Sequence, residues 1–249
     1  MTWTITLAAA LLLLAASPAV GQSLAGRVEQ VGTGTVRMSY AAKRGVCGDG
    51  QNIRRMTPRR GEWESDCEPG PVRTVVEVRG GRVIEVRTYL GGRWRGDAAT
   101  DLGTVSAPSA ARYFLDLAGR GDGIKGDVLS AAVMADSADN TQPLLRLARN
   151  PAAPKGTRRQ AVFWLSQEAG EVAARGLAEL VGDAAEDQDV RKQAVFALSQ
   201  LDDDKSVPAL IRVARTDRDP VIRKQAIFWL GQSEDPRALG LIEELLARP

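Results

Sequence analysis

Three segments of the chain recur almost unchanged: Arg158–Gln167, Arg191–Gln200 and Arg223–Gln232. Gln160, Gln193 and Gln225 are spaced by 33 and then 32 residues. A period of that length marks stacked supersecondary units, each too small to bury its own apolar face alone. The repeated stretch carries Ala194, Val195 and Leu198 at helical spacing, with Asp187 or Asp189 placed to satisfy free amides at the helix start. Residues 161–165 are five apolar residues in succession. An isolated helix would expose them on most sides, whereas a helix covered by its partner and by both neighbouring repeats would not. A second helical stretch follows each copy, at Glu171–Val181, Ser206–Arg215 and Pro236–Ala247. The cations Arg212 and Arg215 suit the negative end of the middle one. A more diverged pair precedes them, at Asp127–Ala135 and Gln142–Arg149, and a lone helix from Ser106 to about Ala118 is expected to cap the stack.

The first 104 residues read differently. Residues 4–17 form an apolar run of about 14 residues, too short for a membrane span of about 20 but within the range of a signal-peptide core. Small residues follow, and the run carries no Lys or Arg before it. Residues 1–21 are expected to be a signal peptide, with an uncleaved anchor as the alternative. Residues 22–104 read as β structure. Val28–Val31 and Thr35–Tyr40 flank Gly32-Thr33-Gly34 as one expected hairpin. Thr74–Arg79 and Arg82–Arg87 flank Gly80-Gly81 as a second, with a two-residue primed turn. Between them lies a polar loop carrying Arg54, Arg55, Arg59 and Arg60. This zone holds 14 basic and 10 acidic residues, so the arginines could meet an anionic surface or simply be solvated.

Histidine is absent from all 249 residues, which excludes Ser-His-Asp and Cys-His catalysis and every histidine-dependent metal site. The two cysteines, Cys47 and Cys67, cannot make a four-thiolate zinc site. In an exported chain they read as one disulfide between turn-rich loops; a reactive thiol pair would lack the usual C-x-x-C spacing. No metal ligand set, cofactor motif or catalytic constellation is legible. Arg120-Gly121-Asp122 matches the adhesion tripeptide but sits in a Gly-rich turn, and Asp122 to Asp127 fails the calcium-loop pattern, which needs more oxygens and a terminal Glu. Asp202-Asp203-Asp204 is read as capping the helix that follows rather than holding a metal. Trp3, Trp63 and Trp94 carry no readable chemistry.

Val190 to Asp202 followed by Ser206 to Arg212 resembles the HEAT repeats of short type, also called phycobilisome-lyase HEAT-like repeats. Asp219 to Ala226 and Glu234 to Leu239 match the same pattern. The resemblance covers residues 157–249, is weaker over 124–156, and does not extend to the β zone. It implies an α-solenoid whose usual role is to hold another protein. Family members that hydroxylate protein through paired His-Glu iron ligands have no counterpart here, because histidine is missing. Bilin handling would need more than the repeats.

Within the repeats, Arg159, Phe163 and Gln167 are spaced by four, as are Lys192, Phe196 and Gln200, and Lys224, Phe228 and Gln232. Such residues share one helix face, so three repeats would present a ladder of cation, phenylalanine and glutamine, with the cation over the ring. That ladder could grip an acidic or extended peptide; alternatively, the phenylalanines fill the core between repeats. The sequence therefore predicts an α+β chain: a small antiparallel β domain with one disulfide over residues 22–104, then a HEAT-like solenoid over 105–249. The expected function is an exported (periplasmic or extracellular), non-catalytic scaffold for a protein or peptide partner. It would need no cofactor, bind no nucleic acid, and have no membrane span after signal cleavage. The alternatives are an enzyme using carboxylates in the β domain, a lyase-like accessory protein, and a structural envelope protein.

Overall fold

The computed structural model describes residues 23–50, 53–55, 67–94, 98–121, 123–168 and 170–247. The apolar run of residues 4–17, Arg59, Arg60, Trp63 and Asp122 lie outside them. The chain runs α1 (Leu24–Glu29), β1 (Gly34–Tyr40), β2 (Cys47–Gly48), β3 (Ile53–Arg55), β4 (Val72–Arg79), β5 (Arg82–Leu90) and β6 (Thr100–Thr104). The helices α2 (Ala107–Gly119), α3 (Val128–Val133), α4 (Thr141–Ala148), α5 (Lys155–Gln167) and α6 (Glu171–Gly182) follow. The last four are α7 (Gln188–Ser199), α8 (Asp203–Thr216), α9 (Pro220–Leu230) and α10 (Pro236–Leu246).

The main sheet has the order β5-β4-β1-β6. Gly80 and Gly81 join β4 to β5 with φ of 55° and 74°, the pair of positive angles that a type I′ hairpin turn requires. The sheet is mixed, however, because β6 runs parallel to β1. After β5 the chain must cross the whole sheet within residues 91–99 to start β6 at the opposite edge. β6 itself is largely exposed and has no alternating apolar pattern, so its direction leaves no trace in the sequence. The first expected hairpin does not form. Ser23 accepts the Gly26 amide at 3.2 Å and starts α1, whose Val28 is buried, so Val28 and its neighbours are helical where a strand was expected. β1 instead pairs with β4 and β6.

Alternation in β1 and β4 buries Val36, Met38, Tyr40, Val72, Val76 and Val78 on one face of the sheet. That face packs on the helices: the Tyr40 hydroxyl donates to the Ala131 carbonyl at 2.6 Å, and the Tyr40 and Phe114 rings lie 6.3 Å apart. A single apolar core thus runs from the sheet into the repeats. Lys125 forms an isolated parallel bridge beside β5, its amide donating to the Ile84 carbonyl and its carbonyl accepting from the Val86 amide, both at 3.0 Å.

Cys47 and Cys67 are joined in a disulfide, with their Cα atoms 5.3 Å apart. Unreduced protein should therefore yield no alkylated thiol. Cys47→Ala should cost about 3 kcal/mol in the chain-entropy account, while the far-ultraviolet helical signal below the melting transition stays near that of the parent. Alkylation of both thiols without reductant would remove the bridge.

The helices form two rows, with α5, α7 and α9 side by side and α4, α6, α8 and α10 behind them. Each repeat fully buries the same alanine (Ala161, Ala194, Ala226) and the same leucine (Leu165, Leu198, Leu230). Small alanines let adjacent helices approach, and the leucines fill the seam. Of the five apolar residues in 161–165, only Phe163 is exposed, which accounts for a run that looked too greasy for a surface helix. Asp187, Asp219 and Asp235 cap α7, α9 and α10 by accepting backbone amides two residues on, at 2.8–2.9 Å.

Candidate interaction face

The paired basic residues that open each repeated segment divide their roles. The first points inward. Arg158 donates to Glu186 at 2.5 Å, and Arg191 donates to Asp217 at 2.7 Å and to the Val181 carbonyl at 2.8 Å. All four of these charged side chains are 10% exposed or less. Arg223 closes the series on the carbonyls of Asp217 and Arg218. Glu186 and Asp217 lie in the loops that lead into the next repeat, so Arg158 and Arg191 tie one unit to the following one, while Arg223 binds the loop just before its own helix. The repeated arginine was visible in the sequence, but its burial was not, because its acidic partner lies 26–28 residues away in a loop whose spacing varies.

The second basic residue faces outward. Arg159 and Lys224 are exposed, and neither forms an ion pair among the described residues. Lys192 is half-buried and lies 2.9 Å from Asp189, one turn earlier on the same helix. The ammonium groups of Lys192 and Lys155 hold the Asp189 carboxyl down at about 2. The expected stacking of each cation over its phenylalanine is therefore replaced by this carboxylate at Lys192. The described cation–π contacts lie instead in the sheet, at Trp94.

The three rings occupy graded positions. Phe163 is 40% exposed and Phe228 55%, while Phe196 is half-buried because Trp229 of the next repeat packs against it with ring centroids 5.1 Å apart. Trp164 and Trp229 each sit edge-on to the phenylalanine that precedes them, at 5.2 and 5.0 Å. The middle repeat has Ala197 at that position, fully buried, so the tryptophan of the third repeat reaches back over Phe196. Gln167, Gln200 and Gln232 are all exposed. The amides of Gln167 and Gln200 donate to the hydroxyls of Ser166 and Ser199, at 3.1 and 3.2 Å.

At the sheet-proximal end of this face lies a groove of about 720 Å³. Its floor combines Leu117, Ile124, Val128 and Trp164, and Arg159, Gln160, Phe163 and Gln193 line its repeat side. Gly121, Gly123 and Gly126, from the segment between α2 and α3, line one side of the groove, and Pro154, Gly156 and Thr157 at the start of α5 line another. Arg159 and Phe163 are thus brought into one concavity with apolar residues that sequence spacing could not connect to them. The other candidate residues continue along α7 and α9. Among the described residues, no three cysteines or carboxylates gather as a metal site. Asp202 stands before α8 without a side-chain capping bond, while Asp203 and Asp204 supply charge in its first turn. No described helix is long and apolar enough to cross a membrane.

With this geometry in place, residues 177–249 match the HEAT repeats family. The match begins within α6 and takes in α7 to α10, so α5, which carries the first copy of the motif, stands outside it. No curated protein matches the chain.

Proposed function

We propose that this protein is an exported, non-catalytic scaffold that holds a protein or peptide partner on the face built by α5, α7 and α9. In this reading the β-rich part (residues 22–104) braces one end of the repeat part (105–249). HEAT repeats commonly serve protein interaction. The observation that carries the reading is the exposure of Phe163 and Phe228 on the side that also bears Arg159, Lys224 and the exposed glutamines. Large apolar rings rimmed by amides and by cations that form no ion pair among the described residues are what a polar chain with an occasional acidic or apolar side chain can use. Gln160 and Gln193 in the groove offer amides to an extended backbone. Export is supported by the apolar leader and by the disulfide, since such bonds persist in oxidising compartments.

Affinity capture from the native compartment tests the face. Arg159→Glu combined with Lys224→Glu, and separately Phe163→Ala with Phe228→Ala, should abolish recovery of any partner held there. Each pair should shift stability by no more than about 1–2 kcal/mol, because the side chains are exposed. Phe196→Ala should cost more, since Trp229 packs on it. Undiminished capture by both pairs would move the partner to another surface.

A further inference from the structure

The sheet has a second face, turned away from the helices. Alternation puts Arg37 of β1, Arg73 and Val75 of β4, and Arg87 and Tyr89 of β5 on it. The register sets Arg37 opposite Val75, Val75 opposite Arg87, and Arg73 opposite Tyr89. Three guanidinium groups therefore occupy neighbouring positions on three adjacent strands, an arrangement that repulsion opposes. Two of them have carboxylates: Asp101 meets Arg37 at 2.9 Å and Glu77 meets Arg87 at 2.9 Å. Arg73 has none among the described residues. Its Nε and Nη1 are shielded from solvent and have no hydrogen-bond partner among the described residues.

The chain crossing from β5 to β6 brings Trp94 over this face. Its ring centroid lies 5.5 Å from the Arg37 guanidinium and 5.8 Å from that of Arg73. Stacking engages the flat face of a guanidinium and leaves its edge, where the N–H groups point, for in-plane bonds. Beside these groups is a cavity of about 390 Å³, within the range of small-ligand sites. Arg37, Arg73, Arg87, Arg93, Tyr89 and Trp94 line it, and no carboxylate is among the described lining residues.

We propose that this cavity binds a small organic oxyanion, a carboxylate or a phosphate monoester carried on a flat apolar group. The anion supplies the acceptor and counter-charge that Arg73 lacks among the described residues, and Arg93 adds a further cation at the rim. Guanidinium edges pair with such oxyanions through two parallel hydrogen bonds. Tyr89 and Trp94 provide the wall against which the apolar part lies. This site is on the opposite face of the sheet from the helices, and it stands whether or not the repeats hold a partner.

Calorimetric titration of the full chain with phenyl phosphate and with benzoate tests it, with benzylamine as the cationic control. At least one anion should bind saturably at a single site, and benzylamine should give no saturable heat. The tighter anion identifies the oxyanion class. Arg73→Met should weaken binding at least tenfold, and Arg93→Gln, at the exposed rim, should weaken it severalfold. Arg79→Gln, at the hairpin end of the same strand, should change nothing. Melting curves establish that each variant is folded; if Arg73→Met is not, Arg93→Gln against Arg79→Gln decides. Failure of both anions to saturate at millimolar concentration would overturn the proposal. Equal losses from Arg79→Gln and from the cavity variants would do so too, since only diffuse charge attraction would remain.

Discussion

Asp217→Ala should lower the unfolding free energy by about 3–5 kcal/mol, the usual cost of stranding one partner of a buried ion pair. Asp217 and Arg191 are 6% and 7% exposed at their side chains, and the guanidinium would keep only the Val181 carbonyl and a distant Asp219 carboxylate at 3.8 Å. The double change Arg191→Met with Asp217→Leu should recover most of the loss, because it removes both desolvated charges and leaves apolar volume in the seam. Urea unfolding of the three variants reads this directly. A loss below about 1 kcal/mol for Asp217→Ala would mean that water reaches the seam and that the pair behaves as a surface contact.

Gly126→Ala should be comparably damaging for a different reason. Gly126 has φ +89°, and a Cβ there would stand 2.0 Å from the Val86 carbonyl oxygen, which is backbone and cannot swing aside. The residue must therefore move, and the bridge that Lys125 forms with β5 moves with it. Backbone strain of about 1–3 kcal/mol and two hydrogen bonds worth roughly 1 kcal/mol each are at stake. Hydrogen exchange should show lost protection at the Lys125 and Val86 amides, with the repeats melting earlier because β5 no longer anchors the turn before α3. Retained protection with an unchanged melting temperature would show that the turn can refold around the methyl group.

The repeat helices were legible because their signals were local and repeated: alanine and leucine at fixed intervals in α5, α7 and α9, and an aspartate before α7, α8, α9 and α10. The disulfide was legible from two cysteines in turn-rich loops. Val28 misled because Val28 and Val31 before Gly32-Thr33-Gly34 resemble a strand entering a hairpin, whereas Ser23 supplies a cap and α2 supplies the cover for a short helix. β6 could not be oriented, since its exposed Thr100–Thr104 run carries no face preference and its pairing depends on a crossing that skips the sheet. The candidate face was half legible. Spacing placed Phe163, Phe196 and Phe228 on one side, but only the Ala197 substitution and the reach of Trp229 explain why the middle ring is covered and the outer two are not. The arginine cluster around Trp94 needed the register of three strands, which no window of sequence contains.

The division of labour between adjacent basic residues has an evolutionary consequence. Arg158 and Arg191 are committed to the junctions between units, whereas Arg159 and Lys224, their neighbours or repeat counterparts, are exposed and form no ion pair among the described residues. Mutations at the outward position can therefore accumulate at little thermodynamic penalty while the inward one stays fixed. Under the proposed scaffold function, a lineage carrying this architecture can retarget its surface one side chain at a time, and recognition can diverge faster than the framework that displays it.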